Sequence, residues 1–186
     1  MKNCVHLYCD GGVVKQNPSP FGGTWAWVAV EPRRISLDGR EVNSGDETIA
    51  EACGSLTPKQ VGPEYTAISN NFMELFAAYK ALKAIEQIDI PQPGVLWTDS
   101  EVTMHRLTNG RSFAGIPQWL RLEVLSLRRR GWKIKLVAGH ATRKELWEGQ
   151  TEKGVPTSKW NNWCHNECEK EAKALLTKLK KPAQKR

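Results

Sequence analysis

Apolar and polar residues alternate from Cys4 to Cys9 and the alternation breaks at Asp10-Gly11-Gly12, the period of a half-buried β-strand. A turn-rich stretch covers 16–23, and Thr24 to Val30 (TWAWVAV) is aromatic and β-branched, a second strand. Residues 31–48 are polar and read as a loop with at most a hairpin, Ile49 to Leu56 as a weaker third strand. After a Pro- and Gly-containing connection over 57–68, Asn70 to Ile88 carries Met73, Phe76, Ala77, Leu82 and Ile85 at helical spacing, uninterrupted by Gly or Pro. Val95 to Thr98 is a short apolar strand ending at Asp99. Ser100 to Leu107 and Gln118 to Arg130 are helices. Ile134 to Ala138 is a strand ending at Gly139-His140, 141–157 is a long polar loop, and Trp160 to Leu179 is the final helix.

Three strands in succession predict an antiparallel meander, and later strands separated by helices must join by crossovers. The expected fold is therefore α/β, a mixed five-stranded sheet (three antiparallel strands, then parallel ones) flanked by helices. With 186 residues, 40% of them apolar, the chain has enough material for one core. We expect a single domain over 1–179 and a basic tail over 180–186. No apolar run reaches the length of a membrane span, and no apolar stretch near the start resembles a signal peptide. Cys4, Cys9, Cys53, Cys164 and Cys168 are an odd, irregularly spaced set, which fits reduced thiols and a cytoplasmic location. Nothing calls for an obligate oligomer, so a monomer is expected.

Location makes the charge informative. The net charge is +7, but six basic residues and no acid follow Glu171, leaving 21 basic against 20 acidic side chains elsewhere. A basic chain of this kind fits nucleic acid, although a lysine-rich tail also fits plain solvation. Arg128, Arg129, Arg130, Lys133 and Lys135 form a second basic cluster.

Three acids stand out by position. Asp10 follows an apolar strand and precedes Gly-Gly, Asp99 follows Val95-Leu96-Trp97-Thr98, and Glu74 sits between Met73 and Leu75 in the first turns of the apolar helix. Singly, they would be a turn residue, a helix cap and a solvent-facing acid. Together they point to a metal site, because a carboxylate beside a core costs several kcal/mol unless a cation or donors satisfy it. Neighbouring strand ends lie roughly 5 Å apart, and oxygen ligands suit Mg²⁺.

On these residues the chain resembles type 1 ribonuclease H. Tyr8-Cys9-Asp10-Gly11-Gly12 is similar to that family's first-strand motif, and the loop Asn17-Pro18-Ser19-Pro20-Phe21-Gly22-Gly23 to its Asn-Pro-Gly loop. Ser69-Asn70-Asn71-Phe72-Met73-Glu74-Leu75 resembles its helix start, Thr98-Asp99-Ser100 its central strand end, and Gly139-His140-Ala141 its histidine loop. The resemblance implies hydrolysis of the RNA strand of RNA–DNA hybrids by two Mg²⁺ ions, with Mn²⁺ as an alternative, leaving 5′-phosphate and 3′-hydroxyl ends. Asp10 would bridge both ions, Glu74 and Asp99 would complete one side, and His140 would assist proton transfer or product departure. Asn17, Asn70 and Asn71 would read the 2′-hydroxyls that distinguish RNA, and Ser69 would hold a DNA-strand phosphate. Turn and helix-capping roles for Asn17 and Asn70 remain compatible with this.

Three departures matter. The family's fourth acid falls on His165 in Asn161-Asn162-Trp163-Cys164-His165, while an alternative register makes Glu169 the carboxylate; the two are four apart and share a helix face. Imidazole takes Mn²⁺ more readily than Mg²⁺. Cys164-x₃-Cys168 alone fits core packing better than zinc. The stretch from Ser100 to Lys133 is too short for the basic, Trp-containing protrusion of many relatives, so the lysine-rich tail is expected to supply grip, and truncation after Leu175 to weaken it. The loop after His140 is enlarged, and either gates product release or is a tolerated insertion. Two other readings stay open. One is a non-catalytic hybrid-binding domain with a degraded metal site. The other is a transposase- or integrase-like nuclease, which the Ser-Asn-Asn-x-Met-Glu helix start disfavours.

Overall fold

The first three strands pair in chain order. In the computed structural model, which describes residues 4–37, 40–88, 93–109 and 112–180, β1 (His6–Val13), β2 (Gly23–Leu37) and β3 (Arg40–Leu56) form an antiparallel meander. β4 (Val95–Thr98) then pairs parallel to β1, and β5 (Lys133–Leu136) parallel to β4. The sheet order is β3-β2-β1-β4-β5, the mixed five-stranded sheet expected. The helices are α1 (Pro58–Val61), α2 (Asn70–Ile85), α3 (Glu101–Thr108), α4 (Gln118–Arg128), α5 (Arg143–Glu148) and α6 (Lys159–Lys180).

Alternation along β1 divides the core between the two faces of the sheet. Leu7, Cys9 and Leu96 pack with Met73, Leu75 and Phe76 of α2 and with Leu120, Val124 and Leu127 of α4. Tyr8, Ala26, Val28 and Val30 pack on the other face with Cys164 and Cys168 of α6. α2 is buried at every position from Phe72 to Ala78, so Glu74 is carried into the interior by its own helix. A Cβ on Gly11 would lie 2.3 Å from the Met73 carbonyl carbon. The missing side chain is what lets α2 sit directly on β1.

Several boundaries differ from the sequence pattern. Asp10 lies within β1, not beyond it, because Asp10, Gly11, Gly12 and Val13 all continue the pairing with β2. Residues 31–48 are mostly strand: β2 and β3 pair out to Leu37 and Arg40 as a long ribbon, with register shifts at Ala29/Val30 and Arg33/Arg34. Backbone pairing satisfies the polar groups of such a ribbon, whose mostly polar sequence reads as a loop. α2 stops at Ile85 and α4 at Arg128, each earlier than expected. α1 and α5 form in segments read as connections, both closed by a capping box, Thr57 with Gln60 and Thr142 with Glu145. Much of the basic tail, 181–186, lies outside the described residues.

Candidate active site

Asp10, Glu74 and Asp99 reach one point from β1, α2 and the end of β4, with one carboxylate oxygen of each within 4.8 Å of the others. β1 and β4 are adjacent and parallel, with Tyr8 opposite Trp97, so Asp10 and Asp99 emerge side by side two residues further along. Asp10 and Glu74 are buried, at 6% and 7% exposure. One Asp10 oxygen, Oδ1, accepts from the Gly11 amide at 2.7 Å. Glu74 Oε1 accepts from Asn70 Nδ2 and Asp99 Oδ2 from Asn161 Nδ2, each at 3.4 Å. The remaining oxygens, Glu74 Oε2 and Asp99 Oδ1, are buried without a hydrogen-bond partner.

Electrostatics follows from that crowding. Burial, then the charges of Asp10 and Asp99, push the Glu74 carboxyl well above the usual carboxylate range. Burial and Asp10 raise Asp99 to about 6. Three acids with two orphaned oxygens and no internal cation form a donor set that a hard divalent cation would satisfy. The residues fit such an ion.

α6 brings His165 to the same place. Its Nδ1 lies 3.2 Å from Asp10 Oδ2, and its Nε2 lies 3.5 Å from Glu169 Oε1. The hydrogen bond to Asp10 raises its pKa against an opposing burial effect. Both ring nitrogens thus face carboxylates, which ties α6 to β1 at the site. Both candidates for the fourth ligand therefore meet at the cleft, His165 inside and Glu169 behind it. The His140 ring lies 4.0 Å from that of His165, centroid to centroid, at 65°. His140 itself adopts a positive φ of 54°, and a Cβ on Gly139 before it would meet Asp99 Oδ2 at 2.5 Å, so a side chain there would displace that carboxylate. The resulting cleft, about 300 Å³, is lined by Asp10, Asn70, Glu74, Asp99, His140 and His165 among others.

The predicted recognition residues lie along one rim. Ser69 caps α2, its hydroxyl oxygen accepting from the Phe72 amide at 3.3 Å. Asn17 Oδ1 accepts from the Asn70 amide at 3.0 Å, tying the exposed loop to the helix start. Asn71 is exposed, and its carbonyl accepts from Arg106 Nη1 at 3.1 Å. Sequence reasoning missed two supports. Asn161 is fully buried against Asp99, although it stands in the quoted α6 motif, and Arg106 is buried where α3 meets α2. Cys164 and Cys168 donate to the carbonyls of Tyr8 and Asp10 at 3.5 and 3.3 Å, so both thiols serve in packing. Among the described residues the carboxylate trio is the one group of three or more His, Cys, Asp or Glu side chains close enough to share an ion.

Solved structures share this arrangement of strands and helices. The N-terminal RNase H domain of Rv2228c from Mycobacterium tuberculosis superposes with a TM-score of 0.59 over 96% of this chain and 99% of that one, at 13% identity. RNase H1 from the archaeon Halobacterium salinarum gives 0.56 over 91% and 98%, at 18% identity. This chain has the ribonuclease H fold. A curated relative named Ribonuclease H, from Thermosynechococcus vestitus, is 30% identical over 103 residues, 55% of this chain. The matched part spans 56% of that relative's length. The motif resemblance to type 1 ribonuclease H is thus borne out in both sequence and fold, although no family model matches the chain. LC11-RNase H1, solved in complex with an RNA/DNA hybrid, superposes with a TM-score of 0.52 over 89% of this chain and 97% of that one, at 14% identity. On the ribonuclease H fold of this chain, the carboxylates and His165 gather where β1 and β4 run side by side.

Proposed function

We propose that this chain is a metal-dependent endoribonuclease that cleaves the RNA strand of RNA–DNA hybrids, leaving 5′-phosphate and 3′-hydroxyl ends. The observation that carries the reading is the pair of orphaned, buried oxygens on Glu74 and Asp99, converging with Asp10 on a ribonuclease H fold. Two divalent cations, Mg²⁺ or Mn²⁺, would lower the pKa of the attacking water and neutralise charge on the departing 3′-oxygen.

The chain's own residues do the rest. Asp10, Glu74 and Asp99 would hold the cations, with His165 as the fourth ligand and Glu169 as its alternative. Gly11 and Asn161 keep the first and third carboxylates aimed. His140, exposed beside His165, carries a proton to or from the reacting phosphate as product leaves. Asn17 commits its carbonyl oxygen to Asn70, so its amide nitrogen is the group left to donate. With the exposed Asn71 and with Asn70, it reads 2′-hydroxyls. The Ser69 oxygen accepts from Phe72, and its hydroxyl proton is left to donate to a phosphate. The chain acts as a monomer in the cytoplasm, a setting consistent with five free cysteines.

The test is cleavage of a labelled hybrid in Mg²⁺ and in Mn²⁺, beside duplex DNA, duplex RNA and Asp10→Asn. We expect hybrid-only cleavage that the substitution abolishes. A second reading, a non-catalytic hybrid-binding domain, draws on His165, whose ring faces a carboxylate at both nitrogens and stands where a cation's charge would. Hybrid binding without cleavage in either metal would favour it.

A further inference from the structure

Trp147 is 92% exposed, whereas Trp119, the next most exposed tryptophan among the described residues, is at 40%. It does not sit on a slack loop. The Thr142 hydroxyl and backbone amide close a capping box with Glu145 at 2.8–3.2 Å. Gly149 ends α5 in the left-handed region, and the Thr157 hydroxyl donates to the Glu145 carbonyl at 2.9 Å. The segment is also tied to the cleft wall: the Ala138 amide donates to the Pro156 carbonyl at 2.8 Å, and Asn162 Nδ2 to the Ala141 carbonyl at 2.8 Å. An open hollow of about 450 Å³ separates it from the catalytic face, bounded by Asp99, Gly139, Glu145, Lys153 and Val155.

α5 therefore presents a fixed outer face. Glu145 and Leu146 are partly buried, while Arg143 and Trp147, one turn apart, are both exposed and share a face. Lys144 leans towards Glu148 at 3.9 Å, and Glu145 is committed to the cap. Arg143 has no ion-pair partner among the described residues. A guanidinium beside an aromatic face matches a phosphate beside a base, and a protein partner would more usually meet a broader apolar patch. Trp147 stands about 7.5 Å of helix rise beyond Thr142, itself two residues after His140 of the cleft lining.

We propose that the Arg143–Trp147 face of α5 binds an unpaired nucleotide of the substrate's RNA strand beyond the hybrid, its base stacked on the indole and its phosphate on the guanidinium. The proposal rests on the hybrid-nuclease reading for the identity of the strand. It makes the enlarged segment after His140 a recognition lobe that favours hybrids with a single-stranded RNA extension.

Two readouts test it on the full chain. In fluorescence anisotropy, a labelled single-stranded oligoribonucleotide should bind Trp147→Ala about tenfold more weakly than wild type. Trp147→Phe should stay within about threefold, because a smaller ring still stacks. In steady-state cleavage, an RNA extension should lower KM for wild type and for Trp147→Phe but not for Trp147→Ala, with kcat unchanged. Equal oligonucleotide affinity and equal KM in wild type and Trp147→Ala would overturn the proposal. A Trp147-dependent affinity in a chain that cleaves nothing would leave the lobe standing and remove the nuclease reading.

Discussion

Asp10, Glu74 and Asp99 are held together against their mutual repulsion, and that tension can be measured without substrate. Asp99 has a folded-state pKa of about 6, above its ordinary 3.8, so the folded chain binds the extra proton between those values. Metal-free stability from this group therefore rises as pH falls from about 7 towards 4. Glu74 shifts in the same direction. His165 adds to the trend, because its raised pKa gives stabilisation that is complete below 6.5 and lost as pH climbs through the folded value. At pH 7, Asp99→Asn should raise the Tm of the metal-free protein by roughly 5–10 °C, from about 2–3 kcal/mol relieved. It should also shrink the further rise that a divalent cation produces, measured by differential scanning fluorimetry. His165 bears on metal choice. The ratio of Mn²⁺- to Mg²⁺-supported cleavage should exceed one in wild type and fall in His165→Asp, which restores an oxygen donor. Identical ratios in wild type, His165→Ala and His165→Asp would remove His165 from the ligand set.

Elements act by fixing where these side chains arrive. α2 delivers Glu74 only because Gly11 allows its backbone onto β1. Gly11→Ala places a Cβ 2.3 Å from Met73 and 2.6 Å from the Glu74 amide nitrogen, so the helix must lift. We expect a loss of about 2–3 kcal/mol in urea unfolding, with kcat falling more than KM rises because Glu74 is displaced. α5 behaves differently. Its capping box is local and exposed, so Thr142→Ala should cost no more than about 1 kcal/mol and leave cleavage of blunt hybrids unchanged. Hydrogen exchange should nevertheless show faster opening over 143–148, the signature of a helix held by its caps and not by a buried stripe.

At the scale of the molecule, charge is divided from chemistry. The carboxylate end of the sheet repels a polyanion, while six basic residues follow Glu171 in the sequence, three of them on α6 (Lys173, Lys178 and Lys180). The helix runs to Lys180 with Leu175 buried, so truncation is better made after Lys180 than after Leu175, where it would cut into packed structure. Removing Lys181, Lys185 and Arg186 should weaken hybrid binding at low salt. It should reduce the slope of log K against log salt by up to about 2.7, at roughly 0.9 for each phosphate no longer neutralised, and leave kcat at saturation unchanged. An identical slope in the two proteins would assign the grip to the body of the domain.

Local pattern determined much of this protein. The TWAWVAV strand, the helix over α2, and Asp10, Glu74 and Asp99 beside their apolar runs were legible because burial imposes a period on the chain. The motif resemblance supplied His140, His165 and the asparagines as candidates, and left His165 and Glu169 as rivals. Only the tertiary structure brought His165 to the site, with Nδ1 on Asp10 and Nε2 facing Glu169, because the packing of α6 on β1 joins residues 155 positions apart, which no sequence period encodes. The same holds for Asn161 behind Asp99 and Arg106 under α2, polar residues whose burial depends on partners distant in sequence. The long β2–β3 ribbon and α5 stayed hidden for the opposite reason. The ribbon is a matter of backbone pairing, which its mostly polar sequence does not announce. α5 is held by its caps with none of its residues buried, so it writes no hydrophobic period into the chain.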